Sequence, residues 1–461
     1  MTLKKRVLNI LFWSVISAAF IGPGTITTAS KAGAVFGFDL LWSLVFSTMG
    51  CLLLQEAAAR ITMASGLNLG QAITRQFEGK STKIAMLILV VGAIIVGCAA
   101  YQTGNLLGAA TGVSMIFKID VWRLVLVIGV AAAVALSIPS LQVIARLMGL
   151  LVAVMGVCFF TTVVLLRPGW GDLIRGSLVP TIPAAEGGGL LILGLIGTTI
   201  VPYNLFLGSG ISDKNQSIGE MRFGLSVAII LGGIISMAVL VVGTAITGEY
   251  SLAAVAQALS DRLGRWAGYF FGVGLFAAGF SSGITAPLAS AITAKSLFGK
   301  SQPERWQTGS LNFRLVWIAI LVIGMGFGCA GLQPEPAIIL AQALNGLILP
   351  VVSIFLLLVV NDPRLMGKKY VNRWHSNILL GLVVWVTLIL GLMNIVKAAI
   401  TTLNYLFSFL KKDLVLVLPQ NNTLVIVVSL VTLMISMLIW WLIYSRRRRI
   451  LALGALTKPQ V

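Results

Sequence analysis

Long apolar runs separated by short polar segments dominate this chain of 461 residues. Most runs are about as long as the 20 or so residues that a helix needs to cross a bilayer. They predict twelve transmembrane helices, at residues 8–34, 38–63, 82–117, 121–139, 141–166, 188–212, 221–247, 265–298, 314–331, 336–360, 374–400 and 423–444. The pattern therefore predicts an all-α polytopic membrane protein, with one transmembrane domain that covers residues 1–461.

Two of these runs are interrupted by uncharged stretches that contain glycine and proline. Gly22-Pro23-Gly24-Thr25 lies in the first span, and residues 197–204 (Gly-Thr-Thr-Ile-Val-Pro-Tyr-Asn) lie in the sixth. An unwound turn at bilayer depth survives only where it lines a cavity or is buried in protein. A single proline only kinks a helix, but the flanking glycines and the matching positions favour true breaks. The pair predicts a transporter's substrate site.

The positions of the breaks also predict an internal symmetry. The first and sixth spans cross the membrane in opposite directions, and five spans separate their starting points. This is typical of an inverted five-plus-five repeat. We expect residues 1–180 to form the first repeat, residues 181–372 the second, and residues 373–461 the accessory helices.

Composition and charge support a membrane protein and argue against other classes. Hydrophobic residues make up 58% of the chain and charged residues 10%, yet the net charge is +19. With the N-terminus in the cytoplasm, 23 of the 33 basic residues fall on the inner side. The positive-inside rule then predicts a plasma (inner) membrane protein with both termini cytoplasmic. The lipid bilayer accounts for the charge, so no nucleic-acid partner is expected, and we expect a monomer.

No enzymatic motif is evident in the sequence. It contains no phosphate-binding loop, nucleophile–base pair or redox cysteine pair, so neither an enzyme nor a cofactor is predicted. The four cysteines all fall within spans at unrelated spacings and are interpreted as small buried side chains.

Several motifs along spans one to eleven recur in one family of membrane proteins. They are Ile21-Gly22-Pro23-Gly24-Thr25, Gly37-Phe38-Asp39-Leu40-Leu41-Trp42, Leu52-Leu53-Leu54-Gln55, Val201-Pro202-Tyr203-Asn204-Leu205-Phe206-Leu207, Asp362-Pro363-Arg364-Leu365-Met366-Gly367 and Val371-Asn372-Arg373. In these motifs the chain resembles the Nramp family of divalent-metal transporters. The resemblance implies a LeuT-like fold with broken first and sixth helices, and alternating access between the two membrane faces.

The chain departs from the family at the positions of its metal ligands. Where the family has Asp and Asn in the first break, this sequence has Gly22 and Thr25. The metal-coordinating Met of the sixth helix corresponds to Val201, and a neighbouring His corresponds to Tyr203. One ligand-like residue persists, because Gln342 in span ten matches a Gln near the family's metal.

The titratable groups of the third span are also replaced. An Asp and a Glu that serve proton transfer in the family correspond here to Gln102 and Asn105. No acidic residue is expected near the bilayer midplane. The deepest, Glu56, is predicted to pair with Arg60 four residues later, since an unpaired charge in a membrane is costly. These changes favour uniport or exchange over proton symport.

The candidate substrate-binding residues lie at the predicted junction of spans one, three, six and ten. They are Gly22, Thr25, Gln102, Asn105, Thr198, Val201, Tyr203, Gln342 and Asn345. They offer hydroxyls, amides and backbone groups, but none of the carboxylate, imidazole or sulfur ligands that a dehydrated transition metal prefers, so no metal ligand is assigned.

Such a neutral site is compatible with three functions. Helix ends at the breaks favour opposite charges, and Tyr203 offers an aromatic face to an ammonium group. The sequence therefore predicts a secondary transporter of a small polar organic solute, zwitterionic or an amine, uncoupled from protons. The alternative is a divalent metal ion, either hydrated Mg²⁺ or Mn²⁺ or Fe²⁺. A non-transporting receptor on the same fold is the third.

Overall fold

The computed structural model describes residues 3–76, 92–183, 187–212, 216–246, 248–299, 302–331, 334–409 and 422–456. These residues form α-helices joined by short turns. The helices are α1 Leu3–Phe20, α2 Pro23–Phe36, α3 Leu41–Ser65, α4 Leu69–Thr74, α5 Ala93–Phe117, α6 Val121–Ser137, α7 Leu141–Leu166, α8 Trp170–Leu178, α9 Gly188–Thr199, α10 Pro202–Ile211, α11 Ile218–Gly243, α12 Leu252–Leu263, α13 Arg265–Phe298, α14 Leu311–Cys329, α15 Pro334–Val360, α16 Pro363–Tyr370, α17 Trp374–Phe409 and α18 Asn422–Leu456.

The described helices fit the predicted set of membrane spans. Eight spans are long and apolar enough to cross a bilayer, or ten if each of two bent helix pairs is counted as one span. The α5–α6 pair bends by 120° at a turn that holds the exposed Lys118 and Asp120. A charged turn of that angle reverses the chain, so α5 and α6 fit the separate third and fourth spans predicted. Residues 82–91 of the third span lie outside the described ranges, and the repeat boundaries stay a prediction.

The first predicted break is confirmed between α1 and α2. The two helices meet at 65°. Gly22 has an extended backbone and Pro23 occupies the first helical position. Proline suits that position because its missing N–H would have no partner inside the helix. The unwound part is shorter than the motif, because Thr25 already belongs to the first turn of α2.

The second break has the same construction. The helix α9 ends at Thr199, and Ile200 and Val201 have extended backbones before Pro202 begins α10. Tyr203 therefore lies in the first turn of α10. Both predicted interruptions are thus broken helices rather than proline kinks.

Glycines bring α2 and α11 into direct backbone contact. A Cβ atom added to Gly33 would lie 1.9 Å from the carbonyl oxygen of Leu240, and one added to Gly243 would lie 2.0 Å from that of Ser30. Small residues at helix interfaces let backbones approach this closely in membrane proteins. The second half of the first span is therefore packed directly on α11 at these two glycines.

The end of the bundle at which α1 begins is held by charged side chains. Asp362 precedes α16, and its side chain, 3% exposed, accepts hydrogen bonds from Arg364 and Gln76 and lies 4.0 Å from Arg446 of α18. Burial alone would raise the pKa of Asp362, but the hydrogen bonds from Arg364 and Gln76 outweigh it and hold that pKa below its ordinary value. The carboxylate therefore stays ionised and links α4, α16 and α18.

Substituting alanine for Gly243 is expected to separate α2 from α11. The added methyl cannot fit 2.0 Å from the Ser30 oxygen, so the overpacked contact should cost about 1–3 kcal/mol or more. The measurement is the melting temperature of the purified protein in detergent. Gly381→Ala in α17 is the matched control, since its Cβ would meet no atom within 4 Å. Equal melting temperatures for both variants would contradict a direct backbone contact between α2 and α11 at Gly243.

Candidate functional site

The two breaks face each other across a small central cavity of about 10 Å³. A volume near that size accommodates about one water-sized group. The residues that line it are Ala19, Phe20, Gly22, Gly24, Thr25, Tyr101, Asn105, Thr198, Val201, Tyr203 and Ser282. In this conformation the protein is therefore closed around a site for a single small group.

The structure brings most of the predicted site residues to this cavity. Those that line it are Gly22, Thr25, Asn105, Thr198, Val201 and Tyr203. Gln102 is fully buried about one turn away on α5, and its Nε2 donates to the carbonyl of Gly283 at 2.9 Å. The side chains of Gln342 and Asn345 lie outside the described residues.

Hydroxyl groups from other helices reach the backbone carbonyls at the end of α1. Ser281 and Ser282 of α13 donate to the carbonyl oxygen of Ala18 at 3.2 and 3.1 Å. The hydroxyl of Tyr203 donates to the carbonyl of Ala19 at 2.9 Å. These bonds satisfy carbonyls that have lost their helical partners where no water would reach them.

Thr25 closes the same break from the other side. Its Oγ1 donates to the carbonyl of Phe20 at 2.5 Å and lies 3.4 Å from the carbonyl oxygen of Thr198. Asn204 of α10 donates in turn to the carbonyl of Ile16 at 3.0 Å. The carbonyls at the end of α1 thus already accept side-chain hydrogen bonds, two at Ala18 and one each at Ala19 and Phe20, whose oxygens keep a second lone pair.

Tyr203 lines the central cavity and also packs against a second aromatic ring. Its side chain is 1% exposed, and its ring meets that of Tyr101 in a T-shaped arrangement, with centroids 6.0 Å apart. Its hydroxyl holds α1, and its role as an aromatic wall for an ammonium group stays a prediction. Tyr203 therefore joins α10 to α1 across the cavity.

The neighbours of Gly22 leave little space for a side chain. A Cβ atom here would lie 2.9 Å from Oγ of Ser282 and 3.6 Å from Oδ1 of Asn105. The backbone of the break thus packs directly against polar side chains of α5 and α13. Neither Ser282 nor Tyr101 was predicted from the sequence, because the only signal was a pair of serines at 281–282 within an apolar span.

The site is electrically neutral and rich in oxygen atoms. In the described part of the cavity lining there is no aspartate, glutamate, histidine, lysine or arginine. Among the described residues, no three His, Cys, Asp or Glu side chains are grouped to hold a metal ion. Two buried amide atoms, Nδ2 of Asn105 and Oε1 of Gln102, have no hydrogen-bond partner within that part of the chain. An unsatisfied buried polar atom costs about 1–3 kcal/mol, so a polar occupant would be stabilised here.

Comparison with known sequences identifies relatives over most of the chain. A family model described as "Natural resistance-associated macrophage protein-like" (Nramp) matches residues 14–397. The divalent metal cation transporter MntH of Klebsiella pneumoniae subsp. pneumoniae is 24% identical over 378 residues, which are 79% of this chain and 88% of the relative. The metal transporter Nramp3 of Oryza sativa subsp. japonica is 26% identical over 399 residues, 80% of this chain and 70% of the relative.

Solved structures share the fold. The crystal structure of the Eremococcus coleocola manganese transporter, in complex with an aromatic bis-isothiourea substituted compound, has a TM-score of 0.71 at 20% identity and covers 97% of this chain and 96% of its own. Mhp1, a nucleobase-cation-symport-1 family transporter in a closed conformation with bromovinylhydantoin bound, has a TM-score of 0.55 at 16% identity. The match covers 95% of this chain and 93% of Mhp1. The LeuT-like fold expected from the sequence is thereby confirmed.

Replacing Tyr203 with phenylalanine is expected to weaken the closed conformation. The variant keeps the ring but leaves the carbonyl of Ala19 without its hydroxyl donor, at a cost of about 1–3 kcal/mol. The melting temperature in detergent should fall accordingly. Tyr444→Phe is the matched control, because the side chain of Tyr444 is 43% exposed on α18. An unchanged melting temperature for Tyr203→Phe would show that this bond does not stabilise the break.

Proposed function

Since this chain belongs to the Nramp family, whose members are transporters, we propose that its cargo is a divalent metal ion. The observation that carries the proposal is the size of the central cavity, about 10 Å³. A pocket for an organic ligand of moderate size has a volume of roughly 300 Å³ or more. A single ion needs far less space, because it is only a few ångströms across. The alternative considered at the outset thus fits better than the small organic solute.

The names of the relatives support the same cargo. MntH of Klebsiella pneumoniae is named a divalent metal cation transporter, and the Eremococcus coleocola protein is named a manganese transporter. Their likeness extends across both broken helices, which lie within residues 14–397. The fold thus provides the same pair of helix ends at the site.

The ligands favour a hard cation. The described lining offers the hydroxyl of Thr25, the amide of Asn105 and the carbonyl of Thr198, all of them oxygen donors or amides. Magnesium and manganese accept oxygen ligands, and a cavity for about one water-sized group requires the bound ion to shed most of its water shell. Because no described side chain at the cavity carries a negative charge, we expect weaker binding than a carboxylate site would give.

The neutral lining also bears on coupling and orientation. With no acidic or imidazole group at the cavity, the described residues offer no proton carrier there, which favours uniport or exchange. The distribution of basic residues favours an orientation with both termini cytoplasmic, and we expect a plasma membrane location. One chain supplies both breaks, so we expect the monomer to form a complete pathway.

We expect purified protein in liposomes to take up Mg²⁺ or Mn²⁺, measured with a metal-sensitive dye trapped inside. Asn105→Leu, which removes the amide at the cavity but keeps a similar volume, should lower the uptake rate at least about tenfold, equivalent to ~1.4 kcal/mol. Gln257→Leu removes an exposed amide on α12 and serves as the control. Uptake of amino acids or amines in the absence of metal flux would refute the proposal.

A carboxylate added to the site should strengthen metal binding. Gly22→Asp alone would clash with Oγ of Ser282, so it is combined with Ser282→Ala. The double variant places a negative charge beside the cavity, and we expect the Kd for Mn²⁺ in isothermal titration to fall by about tenfold or more. Ser282→Ala alone is the control. Equal affinities for the two variants would mean that the ion does not bind beside Gly22.

A further inference from the structure

A second, larger cavity opens at the end of the bundle where α1 begins. It holds about 900 Å³ between α3, α11, α16 and α17. Arg6 of α1 lies over the ring of Phe223 at 5.7 Å, which places the start of α11 at the same end. We call this space the basic cavity because four cationic side chains line it, Arg60, Arg222, Lys369 and Arg373. It is separate from the central cavity, and the two share no lining residue.

The basic cavity has an excess of positive charge. Among the lining residues that the structure describes, Glu56 is the one acidic side chain. Its carboxylate accepts from Arg60 at 3.0 Å, as the sequence predicted, and also from Arg222 at 2.7 Å. One negative charge is therefore shared by two guanidinium groups. Lys369 and Arg373 are both exposed and have no acidic partner in the described lining, so the cavity attracts anions.

The wall of the basic cavity is held in place by hydrogen bonds. Arg60 is 7% exposed and donates to the backbone carbonyl of Tyr370 and, at 2.6 Å, to Oδ1 of Asn372. Asn372 in turn donates to Asn377 of α17 at 2.9 Å. These bonds tie α3 to the segment between α16 and α17. A ligand would therefore meet a site that is already ordered, which lowers the cost of binding.

The remaining walls are partly polar and partly apolar, and the apolar part distinguishes between possible anions. The polar lining residues are Gln216, Ser217, Tyr370, Asn372, His375 and Ser376, and the apolar ones are Leu53, Ala57, Met63, Ile218, Val371 and Leu380. Basic pockets between transmembrane helices suit lipid headgroups, whose phosphate meets the cations while the adjoining chains contact apolar side chains. We propose that the basic cavity binds the phosphate group of an anionic phospholipid. Free phosphate compounds share the charge but would leave the apolar walls without a partner.

Lipid in the basic cavity would act on the broken sixth span through α3. Two residues beyond Arg60, Thr62 donates to the carbonyl of Ser209 in α10 at 2.9 Å, and the two hydroxyls lie 2.8 Å apart. The same helix thus contacts both the basic cavity and α10. The proposal concerns binding and does not depend on which cargo the transporter carries.

The test compares lipid retention by two matched charge-reversal variants, using native mass spectrometry of protein from nanodiscs that contain phosphatidylglycerol and phosphatidylcholine. Lys369→Glu with Arg373→Glu should lower bound phosphatidylglycerol at least about tenfold. Arg305→Glu with Arg314→Glu changes the same charge at exposed positions outside the basic cavity and should retain wild-type amounts. Equal retention by both variants, or equal loss, would overturn the proposal.

Two further measurements distinguish loss of lipid binding from a folding defect and from binding of a soluble phosphate compound. Lys369→Ala with Arg373→Ala removes the charge without reversing it, and its melting temperature reports whether the fold is intact. ATP and inorganic phosphate, added at millimolar concentration to protein in phosphatidylcholine nanodiscs, test the soluble source. We expect no binding of either that depends on Lys369 and Arg373. Binding of ATP or phosphate that depends on these residues, without phosphatidylglycerol retention, would overturn the lipid assignment.

Discussion

The carbonyl groups at the end of α1 set the constraint on which the rest of the structure depends. A helix that stops at bilayer depth leaves backbone oxygens that water cannot reach, and each must find a donor inside the protein. Here the donors come from three directions: Ser281 and Ser282 on α13, Tyr203 on α10, and Thr25 on α2. Satisfying one break therefore positions three helices around the central cavity.

The same arrangement explains how a neutral site can remain a transporter site. Side-chain hydroxyls satisfy the break, so no acid or base is needed to stabilise it. The oxygens that remain around Thr25 and Asn105 can replace part of an ion's water shell but cannot cancel its charge. Thr25 and Tyr203 thus have two roles, because their hydroxyls stabilise the break and both residues also line the cavity.

The sequence predicted those features that depend on neighbouring residues. The apolar runs gave the spans, Pro23 and Pro202 with their flanking residues marked the breaks, and the four-residue spacing of Glu56 and Arg60 gave their ion pair. Features that depend on packing between distant helices were missed. Ser282 reaches the cavity only because α13 turns that face inward, and no local pattern records this.

The size of the central cavity also depends on packing between distant helices. Because the sequence does not reveal that size, it could not distinguish an organic solute from an ion. The residue types around the breaks suited a zwitterion as well as an ion. Only the closed packing of Gly22 against Ser282 and of Tyr203 against Tyr101 reduces the space to about 10 Å³. Arg222 likewise joins the Glu56–Arg60 pair from 166 residues away, a distance over which sequence spacing carries no information.

The backbone contact between α2 and α11 has a mechanical consequence. At Gly33 and Gly243 the backbones of the two helices meet directly, with no glycine side chain between them. We therefore expect α2 and α11 to move together in a transport cycle. We expect the change of angle to fall on Ile21 and the extended Gly22, which join α1 to α2, since hinges are few and lie at the ends of elements. The first break would thus be a hinge, and the part that moves beyond it would be the packed pair of helices α2 and α11.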